Sequence, residues 1–201
     1  MSSRSQILTK VRANKPTLVP LPVLPPLNSV ATDPLDQFAD ALAFVGGRLA
    51  LLPPETSLAD FVTRQYATAE RIASSVPLAG MPTVGIGADT DKIVLEGVDL
   101  AVLRGDFAVA ENAAVWVPEA NMLHRALPFI AQHLLLVVDA SQVLSTMHEA
   151  YRRLDRPTLS YGVFISGPSK TADIEQSLVI GAHGARSLTV VLCQQVSIIG
   201  C

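Results

Sequence analysis

Residues 133–139, HLLLVVD, set five consecutive large apolar side chains between polar ends. A strand with one wet face alternates apolar and polar residues, so this unbroken run fits a parallel strand covered on both faces. Parallel neighbours cannot be joined by a tight turn and require a long crossover, usually a helix. The chain supplies such crossovers. ASQVLSTMHEAYRRL reads as a helix with Ser141 as cap and Val143, Leu144, Met147, Tyr151 and Leu154 inward. LSYGVFIS reads as the next strand, TADIEQSLVIG as another helix and SLTVVL as another strand. This β-α-β-α-β order predicts an α/β fold of three layers with a mostly parallel sheet and right-handed connections.

The upstream half extends the same pattern. In TDPLDQFADALAFVGG, Asp33 can cap a helix, Pro34 suits its first turn and Gly46-Gly47 stops it. Leu35, Phe38, Ala39, Leu42 and Ala43 recur at the spacing of one buried helical face. RLALL is a short strand, and ETSLADFVTRQYATAERIA a second helix with Ser57 as cap and Leu58, Phe61, Val62 and Ile72 inward. TVGIGA is expected as a strand. DLAVLRG, DFAVA and AAVWVP are short β-rich pieces that predict a hairpin-like insertion around residues 99–118.

Residues 1–31 look different. An N-terminal helix over 1–13 carries Ile7, Leu8 and Val11 on one side. The following KPTLVPLPVLPPLN holds five prolines, which forbid helix and favour an extended linker. A spacer is preferred over an SH3-type ligand at Pro22 and Pro25. The basic, acid-free start matches the composition of an organellar presequence, but a short leading helix is the preferred reading. One compact domain is expected over residues 32–201.

Composition excludes several classes. With 49% apolar and 16% charged residues the chain is globular rather than disordered. A net charge of −3 gives no footprint for a nucleic-acid groove. The best apolar run, 126–138, is too short to cross a membrane and contains Gln132 and His133. Cys193 and Cys201 form no C-x-x-C, and no Cys/His group has zinc or iron–sulfur spacing, so no metal is expected. A cytoplasmic location with reduced thiols is the default. GIGADT at 85–90 is half a dinucleotide fingerprint without its third glycine or following helix, so no nicotinamide cofactor is expected and the cofactor expectation is none. The RGD at 104–106 is a chance tripeptide.

In open parallel sheets ligands lie outside the carboxyl ends of the strands. Those ends are expected at Asp139, Ser166 and Cys193. SGPSKTADIEQ therefore becomes the principal candidate. Gly167 permits a turn other residues resist and Pro168 stiffens it. The amides of a following helix start would be unpaired. Ser166, Ser169 and Thr171 add hydroxyls and Lys170 a charge, together a cradle for phosphate or carboxylate. Asp173 either joins that site or caps the helix, with Gln176 completing a capping-box-like arrangement. In GAHGA, Gly181 or Gly184 can end the helix, and His183 between them is either a loop residue or a general acid–base. Glu111 either faces the crevice or is a solvated turn carboxylate.

These segments resemble a known family. FISGPSKTADIEQSLVIGAHGARSLTVVL is similar to the signature of the lactate utilisation protein C family, also called LUD-domain proteins. RGDFAVAENAAVWV, HRALPFIAQHLLLVVDASQVL and the leader SRSQILTKVRA match further parts of it. The likeness spans most of residues 1–13 and 33–192. It implies a fold similar to the NagB/RpiA/CoA-transferase group, a Rossmann-like three-layer α/β sandwich, and a part in oxidising L-lactate to pyruvate alongside two iron–sulfur partner proteins. The chain departs from the family pattern at Asn112-Ala113-Ala114, where Thr-Gly-Thr is usual, and at Ala185, where Pro follows His-Gly. Two functions stay open at this point. One is a cluster-free subunit of a lactate-oxidising complex, binding a small carboxylate, phosphate or nucleotide-like anion through Ser166, Gly167, Ser169, Lys170, Thr171, Asp173, Gly181 and Gly184, with Glu111 and His183 as catalytic candidates. The other is an isomerase- or CoA-transferase-type enzyme with Glu111 as base or nucleophile, or a non-catalytic scaffold of the same fold. Homo-oligomerisation is left open.

Overall fold

A computed structural model describes residues 2–20, 22, 33–53, 55–154, 161–171, 179–181 and 184–194. Helix α1 (Ser3–Ala13) has Ser2 as its cap and buries no residue; Ile7, Leu8 and Val11 are all exposed. Helix α2 (Pro34–Phe44) begins as expected. The Asp33 carboxylate accepts the Leu35 amide at 2.9 Å, and Phe38 and Leu42 are fully buried. Strand β1 (Arg48–Leu52) follows directly.

Helix α3 (Leu58–Gln65) starts at its Ser57 cap but is shorter than expected. Ile72 lies instead in strand β2 (Ile72–Ser74), the edge of the main sheet. Its apolar character serves burial in either state; the sheet edge wins because β2 gains a ladder with β3 (Leu100–Arg104), which follows helix α4 (Lys92–Glu96). No strand forms over residues 83–88, where Gly85 and Gly87 leave little side chain to pack. Val84 makes a single amide contact to the Ile72 carbonyl at 2.7 Å.

Strands β4 (Phe107–Val109) and β5 (Ala114–Pro118) form the expected hairpin. Helix α5 (Leu127–Ile130) leads into β6 (His133–Asp139), the strand from which the fold was inferred. Leu134 to Val138 are each at most 1% exposed. Leu134, Leu136 and Val138 face one core and Leu135 and Val137 the other. Burying each such side chain contributes about 1.5–3 kcal/mol, so both faces fix the strand.

The crossover after β6 differs from expectation. The Asp139 carboxylate, not Ser141, caps a short 3-10 turn, accepting the Ser141 amide at 2.9 Å and hydroxyl at 2.7 Å. Val143 and Leu144 become strand β7 (Val143–Leu144) beside β4, and helix α6 (Met147–Arg153) starts later, on Thr146. Tyr151 is half exposed rather than inward.

Strand β8 (Gly162–Ile165) is not in the parallel sheet. It pairs antiparallel with β5, setting Phe164 opposite Trp116 with their rings 4.7 Å apart. That aromatic packing draws it to the second sheet. Residues Lys170–Thr171 (β9) and Val179–Ile180 (β10) pair antiparallel, so the helix expected over 171–181 is absent at both ends; residues 172–178 lie outside the described residues. Strand β11 (Ser187–Cys193) returns to the core.

The result is α/β. Among the described residues, a five-stranded parallel sheet runs β1-β11-β6-β3-β2, with α3 packed on one face. Its other face packs against α2 and a four-stranded sheet, β7-β4-β5-β8, into which the hairpin-like insertion has grown. Phe107, Trp116, Phe164 and Ala150 of α6 close the far side of that second sheet.

Candidate functional site

Because β8 belongs to the second sheet, Ser166 does not sit at the carboxyl rim of the parallel strands. The Ser166–Lys170 turn travels to the opposite end, where β11 begins. The Ser169 amide donates to the Ala185 carbonyl at 2.9 Å, and the Arg186 amide beside it donates to Gln132, just before β6. The placement at the carboxyl rim is thereby corrected to the amino end.

Three segments far apart in sequence meet at this turn. The Ser166 hydroxyl donates to the Asn112 carbonyl at 2.7 Å, tying the turn to the residues after Glu111. Gly167 has φ +77, a backbone state side chains resist, and a Cβ there would stand 2.7 Å from the Val45 carbonyl oxygen. Pro168 is buried against Gly46. Gly184 approaches Ser169 so closely that an added Cβ would lie 3.0 Å from its side chain. The Ser169 carbonyl accepts the Gly181 amide at 2.9 Å. Thus Gly181, Gly184 and the Ser166–Lys170 turn form one unit.

The expected cradle of unpaired amides is altered by these contacts. The Ser169 amide is engaged by Ala185, Gly167 is buried, and Lys170 and Thr171 sit in a two-stranded ladder. The remaining donors are side chains: the half-buried Ser169 hydroxyl and the exposed Lys170 ammonium. Asp173 and His183 lie outside the described residues.

Glu111 has a defined partner. Its Oε2 accepts the Met147 amide at 3.1 Å, at the first turn of α6, while its own amide donates to the Ser145 carbonyl at 3.2 Å. A carboxylate at a helix start is stabilising through the exposed amides there. The turn after it contains Ala113, fully buried at φ +54. The Asn112 side chain steadies this turn by accepting the Ala114 amide at 3.1 Å.

The carboxyl rim itself holds other groups. Burial raises the pKa of the Cys193 thiol, with nearby Asp139 acting in the same direction. Burial also raises that of Asp106, opposed by Arg104 and by the hydrogen bond from Asn121. Cys201 lies outside the described residues. Among the described residues no group of acids, histidines and cysteines could hold a metal ion, and no helix is long and apolar enough to cross a membrane.

A cavity of about 710 Å³ opens at the amino ends of β1, β6 and β11, on the α3 side of the sheet. Arg48, His133, Arg186 and Tyr66 line it. Sequence reasoning missed these residues because it searched the carboxyl ends of the strands and read His133 as core. The signal was present: each strand starts at or beside a polar or cationic residue, in R48, QH133 and RS187.

The LUD domain family matches residues 91–193, a span that includes Glu111, the Ser166–Thr171 segment and Gly184. Lactate utilization protein C of Deinococcus radiodurans is 30% identical over 191 residues, covering 87% of this chain and 85% of that protein. The namesakes from Shouchella clausii and Bacillus pumilus are 31% and 33% identical, over 44% and 42% of this chain. Those two alignments span only 41% and 38% of the relatives' own lengths. Among solved structures, a DUF162 family protein from Deinococcus radiodurans superposes with a TM-score of 0.59 at 22% identity, covering 80% of this chain and 96% of that one. That likeness shows the fold.

Proposed function

The chain belongs to the LUD-domain, lactate utilization protein C family, and from that premise we propose that it serves oxidation of L-lactate to pyruvate as the component without an iron–sulfur cluster. It works beside iron–sulfur partner proteins in the cytoplasm and binds a small carboxylate or related anion at the turn of residues 166–171. Lys170 supplies the charge, Ser169 and Thr171 the hydroxyls, and Gly167, Gly181 and Gly184 the close backbone packing that shapes the turn. Ser166 and Glu111 are positioning residues in this reading: the first holds the turn to Asn112, the second holds α6 beside it. Asp173 and His183 complete the proposed site from the same two segments, His183 as its acid–base group.

One observation supports this assignment above the others. Three parts of the chain that carry the family resemblance, residues 111–112, residues 166–170 and Gly181 with Gly184 and Ala185, meet at one turn, the first from 54 residues upstream of Ser166. In the isomerase or CoA-transferase reading Glu111 would be base or nucleophile; its Oε2 accepts the Met147 amide, a contact that suits a positioning role.

The test is genetic and biochemical. Deleting the gene in its host should abolish growth on L-lactate but leave growth on pyruvate intact. Complementation with Lys170→Ala should restore growth poorly, and complementation with the wild-type chain fully. Growth on L-lactate without the gene would exclude the function.

A further inference from the structure

The amino-end cavity is a second site, separate from the turn of residues 166–171. Arg48 opens β1, His133 opens β6, and Arg186 precedes β11, so three neighbouring parallel strands each deliver a nitrogen-bearing side chain to one wall. Neither guanidinium makes a hydrogen bond or ion pair among the described residues. The carboxylate in the lining, Asp99, accepts the amides of Glu70 and Arg71 through its Oδ2 at 2.9 and 2.8 Å. Two guanidiniums and one imidazole thus share the lining with one carboxylate.

The imidazole fits the same picture. His133 Nδ1 lies 2.8 Å from the Ser187 hydroxyl. Burial, then Arg186, lower its pKa; Asp99 opposes this and Arg48 adds to it. An anion placed between the guanidiniums would remove that repulsion. Phe61 and Tyr66 add apolar surface to the lining; the Tyr66 ring lies 5.8 Å from that of His133, and its hydroxyl is 2.8 Å from Thr189 Oγ1. The volume, about 710 Å³, is that of sites for drug-sized ligands and far exceeds what a three-carbon acid fills.

We infer that this cavity binds an organic phosphate with a planar body, the phosphate held by Arg48 and Arg186 and the body packed against Tyr66 and Phe61. Guanidinium forks match phosphate oxygens, and dispersion against the two rings supplies the remainder. The proposal goes beyond the lactate function and does not depend on it.

The experiment is calorimetric titration of the full chain with AMP and with inorganic phosphate. AMP should bind at least tenfold more tightly than phosphate. Arg48→Gln and Arg186→Gln should each weaken AMP at least tenfold, and Lys92→Ala, a remote exposed cation on α4, should leave it within twofold. AMP should also shift the NMR signals of the His133 ring, a readout that needs no variant. Absence of AMP binding, equal affinity for AMP and phosphate, undiminished binding by both arginine variants, or an unmoved His133 ring would each overturn the inference. Growth on L-lactate is read separately, so failure here leaves the lactate function untouched.

Discussion

The Ser166 hydroxyl donates to the Asn112 carbonyl across 2.7 Å, joining the end of β8 to the turn that follows Glu111. Ser166 is exposed, so Ser166→Ala lets water take up the freed carbonyl. The loss should be modest, about 0.5–1 kcal/mol in urea unfolding. A drop above about 2 kcal/mol would mean the bond holds more of the fold than its exposure indicates.

Gly167 is less forgiving. Its φ is +77, and any Cβ added there would stand 2.7 Å from the Val45 carbonyl oxygen, so Gly167→Val combines backbone strain with a backbone collision. The expected cost is at least about 2 kcal/mol, with the anion affinity lost alongside. Wild-type stability in this variant would show that the turn has another geometry.

Ala113 is the reciprocal case. It already sits at φ +54. Ala113→Gly relieves the strain but gives up a buried methyl and frees the unfolded chain, so stability should stay within about 1 kcal/mol of wild type. Ala113→Val should cost at least about 3 kcal/mol, because a β-branched residue resists that conformation strongly. Equal unfolding midpoints for the two variants would contradict this.

The pH dependence of stability should carry the signature of His133. Its pKa is depressed in the folded protein from the ordinary 6.5, mainly by burial and next by Arg186. The unfolded chain therefore binds the proton more readily, and this contribution is present above the unfolded value and lost as pH falls below it. Urea unfolding of wild type and His133→Gln at pH 5.5 and 7.5 should show the wild type losing more stability on acidification. The opposite ordering would mean that the imidazole is stabilised in its charged form.

The parallel core is legible because Leu134–Val138 is apolar on both faces in a run too short for a buried helix. Helix α2 was legible from Asp33, Pro34 and Gly46, each acting locally. What was hidden were choices between two burials. Ile72, Val143 and Leu144 suit a helix face or a strand equally, and only the neighbouring strands β3 and β4 decide. Strand β8 was assigned to the wrong sheet because its partner, Trp116, lies far upstream. That difference puts the Ser166–Lys170 turn at the amino end of the sheet rather than the carboxyl end, although the turn itself, with Gly167 at positive φ, is legible in the sequence. Arg48 and Arg186 could not be recognised as partners in one cavity until β1 and β11 were known to be adjacent.

The lactate function is tested most directly by reconstitution. The measurement is L-lactate-dependent reduction of an electron-accepting dye by the purified iron–sulfur partner proteins, with and without this chain, and with Glu111→Gln and Lys170→Ala in its place. Full activity should require the chain, survive Glu111→Gln within about twofold, and fall about tenfold in Lys170→Ala at subsaturating lactate, the loss of one charged contact. Undiminished reduction when the chain is omitted, or lactate oxidation by the chain alone that disappears in Glu111→Gln, would contradict it.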